Sequence, residues 1–188
     1  QPWQVVLRGL RGGHSGVDIH TERGNAIKLL VRVLRDLETR LPLRLAELRG
    51  GTARNALPRE ATATVFVPAA SAADLAVVLG QWEGLLRDEL QGVDAGVELA
   101  LSAGHADQVL TAAEQEVWLA SLQAAPHGVQ RRSRTVPGVV ETSNNLGIVA
   151  VDANGGMANF MVRSLRDSGS AALADGIVSL FSLSASRA

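Results

Sequence analysis

Residues 22–40 read Glu22-Arg23-Gly24-Asn25-Ala26-Ile27-Lys28-Leu29-Leu30-Val31-Arg32-Val33-Leu34-Arg35-Asp36-Leu37-Glu38-Thr39-Arg40. Ala26, Leu29, Leu30, Val33, Leu34 and Leu37 recur at the i, i+3, i+4, i+7 spacing of one helical stripe, while Arg32, Arg35, Asp36 and Arg40 fall on the other side. The pattern predicts a helix over about residues 22–39, with Thr21 as its N-cap. Before it, Val5, Val6 and Leu7 predict a strand over 3–10 that feeds a glycine-dense turn. After it, Leu43, Leu45 and Leu48 alternate with polar residues and predict a strand over about 42–49. Ala61–Val67 is strongly β-type and is stopped by Pro68. A second helix is expected over 72–90, burying Leu75, Val78, Leu79, Trp82, Leu86 and Leu90, and Val97, Leu99 and Leu101 alternate as a half-buried strand does. The order β-α-β-β-α-β over residues 3–103 is the ferredoxin-like plan of an α+β domain, an antiparallel sheet with both helices on one face.

The rest of the chain reads as a second α-β-β-α stretch. A helix is expected over about 111–124, ending near Pro126 and Gly128, and a basic loop over 130–137. Strands fit 144–152 and 157–164, separated by an Asn154-Gly155-Gly156 turn. A last helix starts near Ser170 and decays into the polar tail 182–188. Residues 1–104 are thus expected to form the βαββαβ unit, and 105–188 to extend the same domain. Gln1-Pro2-Trp3 offers neither an initiator methionine nor the plan of a signal peptide, and the chain stops where an antiparallel unit would need another strand. Both ends read as cuts within a longer protein.

Composition narrows the function classes. With 18 basic and 19 acidic residues the net charge is −1, so no field favours nucleic acid or an anionic membrane. Tyrosine is absent and aromatics are only 3%, which argues against stacking platforms for single-stranded nucleic acid. No apolar run reaches the length of a membrane span. The absence of cysteine excludes disulfides and thiolate zinc sites and allows a reducing compartment; the expected location is the cytoplasm. The four histidines (His14, His20, His105 and His127) are scattered and none forms a helical His-x-x-x-His pair, so no metal site is expected in this chain.

Residues 9–20, Gly-Leu-Arg-Gly-Gly-His-Ser-Gly-Val-Asp-Ile-His, place four glycines within eight positions around His14. Such a turn lets the backbone approach another surface closely and presents the imidazole to a ligand. The alternative is a turn histidine bonded to local backbone. Ser15 fails the nucleophile-elbow pattern because position 17 is valine, and reads as a turn residue bonding backbone. Neither phosphate-binding glycine pattern is present. By itself Asn55, in Gly50-Gly51-Thr52-Ala53-Arg54-Asn55-Ala56-Leu57-Pro58-Arg59-Glu60-Ala61, reads as an Asx-turn residue. Arg163, at the end of Phe160-Met161-Val162-Arg163, is suited to bidentate capture of a carboxylate, with Arg166 close enough to compete for the role. The Arg131-Arg132-Ser133-Arg134 cluster reads as a solvated loop.

These two stretches, with Val139-Val140-Glu141-Thr142-Ser143-Asn144-Asn145-Leu146-Gly147, resemble in order the lid, or dimerisation, domain of the PepD-like aminoacyl-histidine dipeptidases, dizinc metallopeptidases that include the carnosinases. The likeness covers nearly the whole chain. It implies that two zinc ions and the catalytic glutamate belong to a separate catalytic domain absent from this chain, which would be inactive by itself. It implies a homodimer through the lid, with the substrate an Xaa-His dipeptide. It further implies that His14 stabilises the oxyanion in the partner subunit's active site and that Asn55 and Arg163 hold the substrate's free carboxylate. Thr142, Ser143 and Asn144 are carried over only as loop residues near the substrate. The competing reading, from a different class, is a non-catalytic α+β module that dimerises or binds a small ligand.

Overall fold

Gly24 and Asn25 separate Thr21 from the apolar stripe, and they move the helix start. In the computed structural model, which describes residues 1–185, the first helix, α1, spans Ala26–Arg40. Its N-cap is Asn25, whose side chain accepts from the Ile27 and Lys28 amides, so the expectation of Thr21 is corrected. Thr21 ends a short 3-10 turn, Ile19–Thr21, and turns its hydroxyl back to the Asp18 carbonyl.

The strand preceding α1 is β1 (Pro2–Arg8), followed by the two-residue β2 (Gly13–His14). After α1 come β3 (Arg44–Gly50), the two-residue β4 (Ala56–Leu57), β5 (Ala61–Phe66), α2 (Ala72–Glu89) and β6 (Glu98–Ala103). Strands β6, β1, β5 and β3 lie side by side in that order, every neighbour antiparallel. This is the ferredoxin-like sheet. Leu30, Leu34 and Leu37 of α1 are fully buried, each contributing about 1.5–3 kcal/mol by leaving water. Ile27 and Val31 are buried as well, since α1 touches the sheet, α2 and the third helix. On α2, Leu75, Val78, Leu79 and Leu86 are buried, and Trp82 donates its indole N–H to Asp36 on α1 at 2.7 Å.

The second stretch contains α3 (Ala112–Ala124), β7 (Gly128–Arg132), β8 (Val140–Asp152), β9 (Gly155–Ser164) and α4 (Asp167–Ala185). It continues the first sheet, because β8 pairs with β3. Two expectations are corrected. The basic segment 130–137 is not all loop: its first three residues complete β7, whose exposed arginines sit on an edge strand where side chains need no burial. The strand expected at 144 begins at Val140. The hairpin turn is Ala153-Asn154, since Asp152 already pairs with Gly155. Helix α4 runs on to Ala185 through much of the expected tail; residues 186–188 lie outside the described residues.

One edge of β8 is shared. β7 pairs with it over Val140–Asn144, and β3 over Val149–Asp152. Between these ladders the edge is open at residues 145–148, and there the segments that carry the candidate site dock.

Candidate functional site

His14 sits on a small ladder of its own. Gly13 pairs with Leu57 and His14 with Ala56, and the Ser15 amide donates to the Asn55 carbonyl at 2.8 Å. The turn after His14 is braced twice. The Asp18 carboxylate accepts from the His14 amide at 2.8 Å, and Arg23 bridges Asp18 at 3.2 Å while donating to the Gly12 carbonyl at 2.6 Å. The buried Asp94 carboxylate accepts from the Arg11 and Gly24 amides, both at 2.7 Å, stapling the two ends of the His14 segment.

The imidazole is exposed but not free to spin. Its Nδ1 accepts from the Gly16 amide at 3.1 Å and the Val17 amide at 3.3 Å. A ring nitrogen that accepts an N–H carries no proton, so the neutral ring is protonated on Nε2, which has no partner among the described residues. One nitrogen of the exposed ring thus bonds local backbone, and the other is left as a donor.

Arg163, half-buried near the end of β9, reaches the same turn and donates from Nε to the Ser15 hydroxyl at 3.5 Å. Ser15 is thus a buried post between Asn55 and Arg163 as well as a turn residue. Gly16 makes the approach of His14 and Arg163 possible. A Cβ at that position would lie 3.2 Å from His14 Cε1 and 3.3 Å from the Arg163 guanidinium carbon. Arg166, by contrast, is exposed and turns to Glu141, 3.7 Å away, so of the two arginines only Arg163 joins this cluster.

Asn55 is exposed on the loop between β3 and β4. The loop leaves β3 through Gly51, at φ +72°, where any side chain would run into the Gly147 carbonyl oxygen of β8. Asn145 of β8, fully buried, donates from Nδ2 to the Arg54 carbonyl at 2.9 Å and the Ala56 carbonyl at 2.8 Å. Sequence reading missed this residue; two consecutive asparagines inside a β-type run were the available signal, since a buried strand amide demands partners.

Thr142 and Ser143 are not loop residues. Both are buried inside β8, paired on one side with β9, where Thr142 faces Ser164 and Ser143 faces Arg163. The Thr142 hydroxyl is bonded to that of Ser164 at 2.9 Å. Asn144 is likewise buried, donating to the Pro126 carbonyl at 2.6 Å. These residues lie behind the Arg163 strand and do not join His14 on the exposed surface.

Beneath the site, Asn25 donates to the Leu146 carbonyl at 2.8 Å, and half-buried His127 accepts on Nδ1 from the Leu146 amide at 3.4 Å. Burial, with the Lys28 charge nearby, pushes the His127 imidazole down to about 4, so it is neutral at pH 7. Burial also lowers the Lys28 ammonium, to about 8. Lys28 donates to the carbonyls of Leu122, Gln123 and Ala125 at 2.7–2.8 Å, capping the C-terminal end of α3.

Among the described residues, no three histidine or acidic side chains lie close enough together to hold a metal ion. His14 and Arg163 offer donors, an imidazole N–H and a guanidinium, which suit anionic oxygen rather than a cation. No described helix is long and apolar enough to cross a membrane.

Residues 5–94 match the family model described as peptidase dimerisation domain. Over 170 residues the chain is 41% identical to the cytosol non-specific dipeptidase of Escherichia coli (strain K12), covering 90% of this chain and 35% of that protein. The crystal structure of aminoacylhistidine dipeptidase from Vibrio alginolyticus superposes with a TM-score of 0.94 at 41% identity, over 98% of this chain and 38% of that one. The chain carries a peptidase dimerisation domain. It spans little more than a third of the relatives it matches, 35% of one and 38% of the other. The superposition extends past the matched residues 5–94 and takes in β7–β9.

Proposed function

We propose that this domain serves a dipeptide-hydrolysing enzyme of the PepD-like kind, in which it is the lid and dimerisation domain over residues 1–188. The substrate class is an Xaa-His dipeptide, in keeping with the name of the Vibrio alginolyticus relative. A cytoplasmic location accords with the name of the Escherichia coli relative. The observation that carries the reading is the meeting of the His14 and Arg163 side chains and the Asn55 backbone at the Ser15-Gly16 turn.

Each residue has a task that its geometry suits. Attack on an amide builds negative charge on the carbonyl oxygen, and a fixed donor stabilises that charge without reorganising. His14 Nε2–H is such a donor, because its other nitrogen is anchored to backbone. The Arg163 guanidinium and the Asn55 amide bind the substrate's terminal carboxylate, which limits substrates to short peptides. Thr142 and Ser143 support Arg163 from the neighbouring strand. Among the described residues no group fits a metal ion, so zinc would be held by a catalytic domain outside this chain. The exposure of His14 and Asn55 accords with their serving the partner subunit of a homodimer.

In the full-length enzyme, His14→Ala is expected to lower kcat by about 10²–10³, as loss of one oxyanion donor does. Mixing this variant with a subunit disabled in its own catalytic domain should restore one working site per heterodimer. If mixed dimers form and stay inactive, His14 does not act across the dimer.

A further inference from the structure

We infer that Asn145 is a positioning residue, a clamp that holds the carboxylate-binding Asn55 in place from inside the sheet. The inference rests on the role proposed above for Asn55.

Three consecutive carbonyls, from the end of the loop into the first residue of β4, are bonded. Asn145 holds the Arg54 carbonyl at 2.9 Å and the Ala56 carbonyl at 2.8 Å, and the Ser15 amide holds the Asn55 carbonyl between them at 2.8 Å. The backbone of Asn55 is thereby fixed on both sides while its side chain stays exposed. An exposed loop residue gains little stability from such fixation, whereas a binding residue gains pre-organisation. The choice of side chain fits. An asparagine amide has two N–H groups at short reach, one for each carbonyl, which leucine or serine cannot match. With both N–H groups so used, Oδ1 is left buried without a partner among the described residues. Register adds to the case. Asn145 stands in the open gap of the β8 edge, the only residues of β8 there being 145–148, with β7 ending its pairing at Asn144 and β3 beginning at Val149. The clamp thus replaces a ladder exactly where the loop must be held.

Two measurements test the assignment. In this chain, Asn145→Ala is expected to speed hydrogen exchange at the Ser15 amide about tenfold or more, because its acceptor on Asn55 is released, while the Val5 and Leu7 amides of β1 keep their rates. In the full-length enzyme, the same variant should raise KM for a dipeptide with a free terminal carboxylate about tenfold, with kcat within about threefold and KM for the matching C-terminal amide within about twofold. Asn55→Ala, run alongside, should show the same selectivity for the carboxylate. An unchanged Ser15 amide, or equal losses on carboxylate and amide substrates, overturns the clamp. If Asn55→Ala also fails to distinguish the two substrates, the fault lies in the carboxylate-binding role of Asn55, and the clamp falls with it. Should Asn145→Ala not fold, Asn145→Ser is judged by the same two readouts.

Discussion

Removing the Asn25 side chain should cost this domain about 3 kcal/mol, for reasons that separate into two parts. Asn25 is 3% exposed and works at both ends of its amide. Its Oδ1 accepts from the Ile27 amide at 3.0 Å and the Lys28 amide at 3.2 Å, the N-cap of α1. Loss of such a cap costs about 1 kcal/mol, up to about 2. Its Nδ2 donates to the Leu146 carbonyl at 2.8 Å in the gap of the β8 edge. Withdrawing a donor from a buried carbonyl costs a further 1–3 kcal/mol or so. Asn25→Asp separates the two parts. The carboxylate keeps the cap and gains from the helix dipole, yet it sets a negative charge against the Leu146 oxygen in place of an N–H. Urea denaturation of residues 1–188 measures both variants. Asn25→Ala should lower the unfolding free energy by about 3 kcal/mol with an unchanged m-value, and Asn25→Asp should not recover wild-type stability. A loss below about 1 kcal/mol for Asn25→Ala, or full recovery in Asn25→Asp, would show that the link between α1 and β8 carries no weight.

Two further outcomes concern the groups around it. His127 has its ordinary value near 6.5 in the unfolded chain and about 4 in the fold, so between these pH values the unfolded state binds more protons. Stability should therefore fall as pH drops from about 6.5 to about 4, by about 2–3 kcal/mol in total, and His127→Gln should flatten that part of the profile. A wild-type ring that titrates above pH 6 by NMR would refute it. Lys28→Met should cost about 1–2 kcal/mol by leaving the last carbonyls of α3 uncapped, and should raise the His127 value by removing a repelling charge. Unaltered urea midpoints and an unshifted His127 titration would contradict both halves.

The helices and the four-strand core were legible because their apolar residues repeat at fixed local spacing, and the Asp-Ala-Asn-Gly hairpin could be placed to within two residues. Misreadings fell where a distant partner decides. Thr21 and Asn25 are both capping types, and beyond its place next to the apolar stripe Asn25 is held by the Leu146 carbonyl, 121 positions away. Thr142 and Ser143 looked like loop because polar residues in a central strand need partners, and those partners sit on β9. Arg131 and Arg132 looked solvated, and are, yet an edge strand accommodates them. For the candidate site, the glycine pattern exposed His14 as a presented group. Its meeting with Arg163 spans 148 positions at Ser15 and has no local signature. The family likeness named His14 and Arg163 separately and included Asn145 in a quoted stretch, but it gave neither the meeting at Ser15 nor a task for Asn145.

The open stretch of the β8 edge also has a meaning for how the chain stays solitary in the wrong company. Unpaired strand backbone is a template on which another chain can add a strand, and proteins ordinarily blunt it with charge, proline or a covering segment. Here the cover is the loop that bears Asn55, pinned by the Asn145 amide, with Asn25 and His127 occupying the backbone groups of Leu146. The loop proposed to meet substrate is therefore also the seal over a sticky seam of the sheet. Selection for a new substrate in that loop works against a second constraint, protection from aggregation, that no catalytic assay would report.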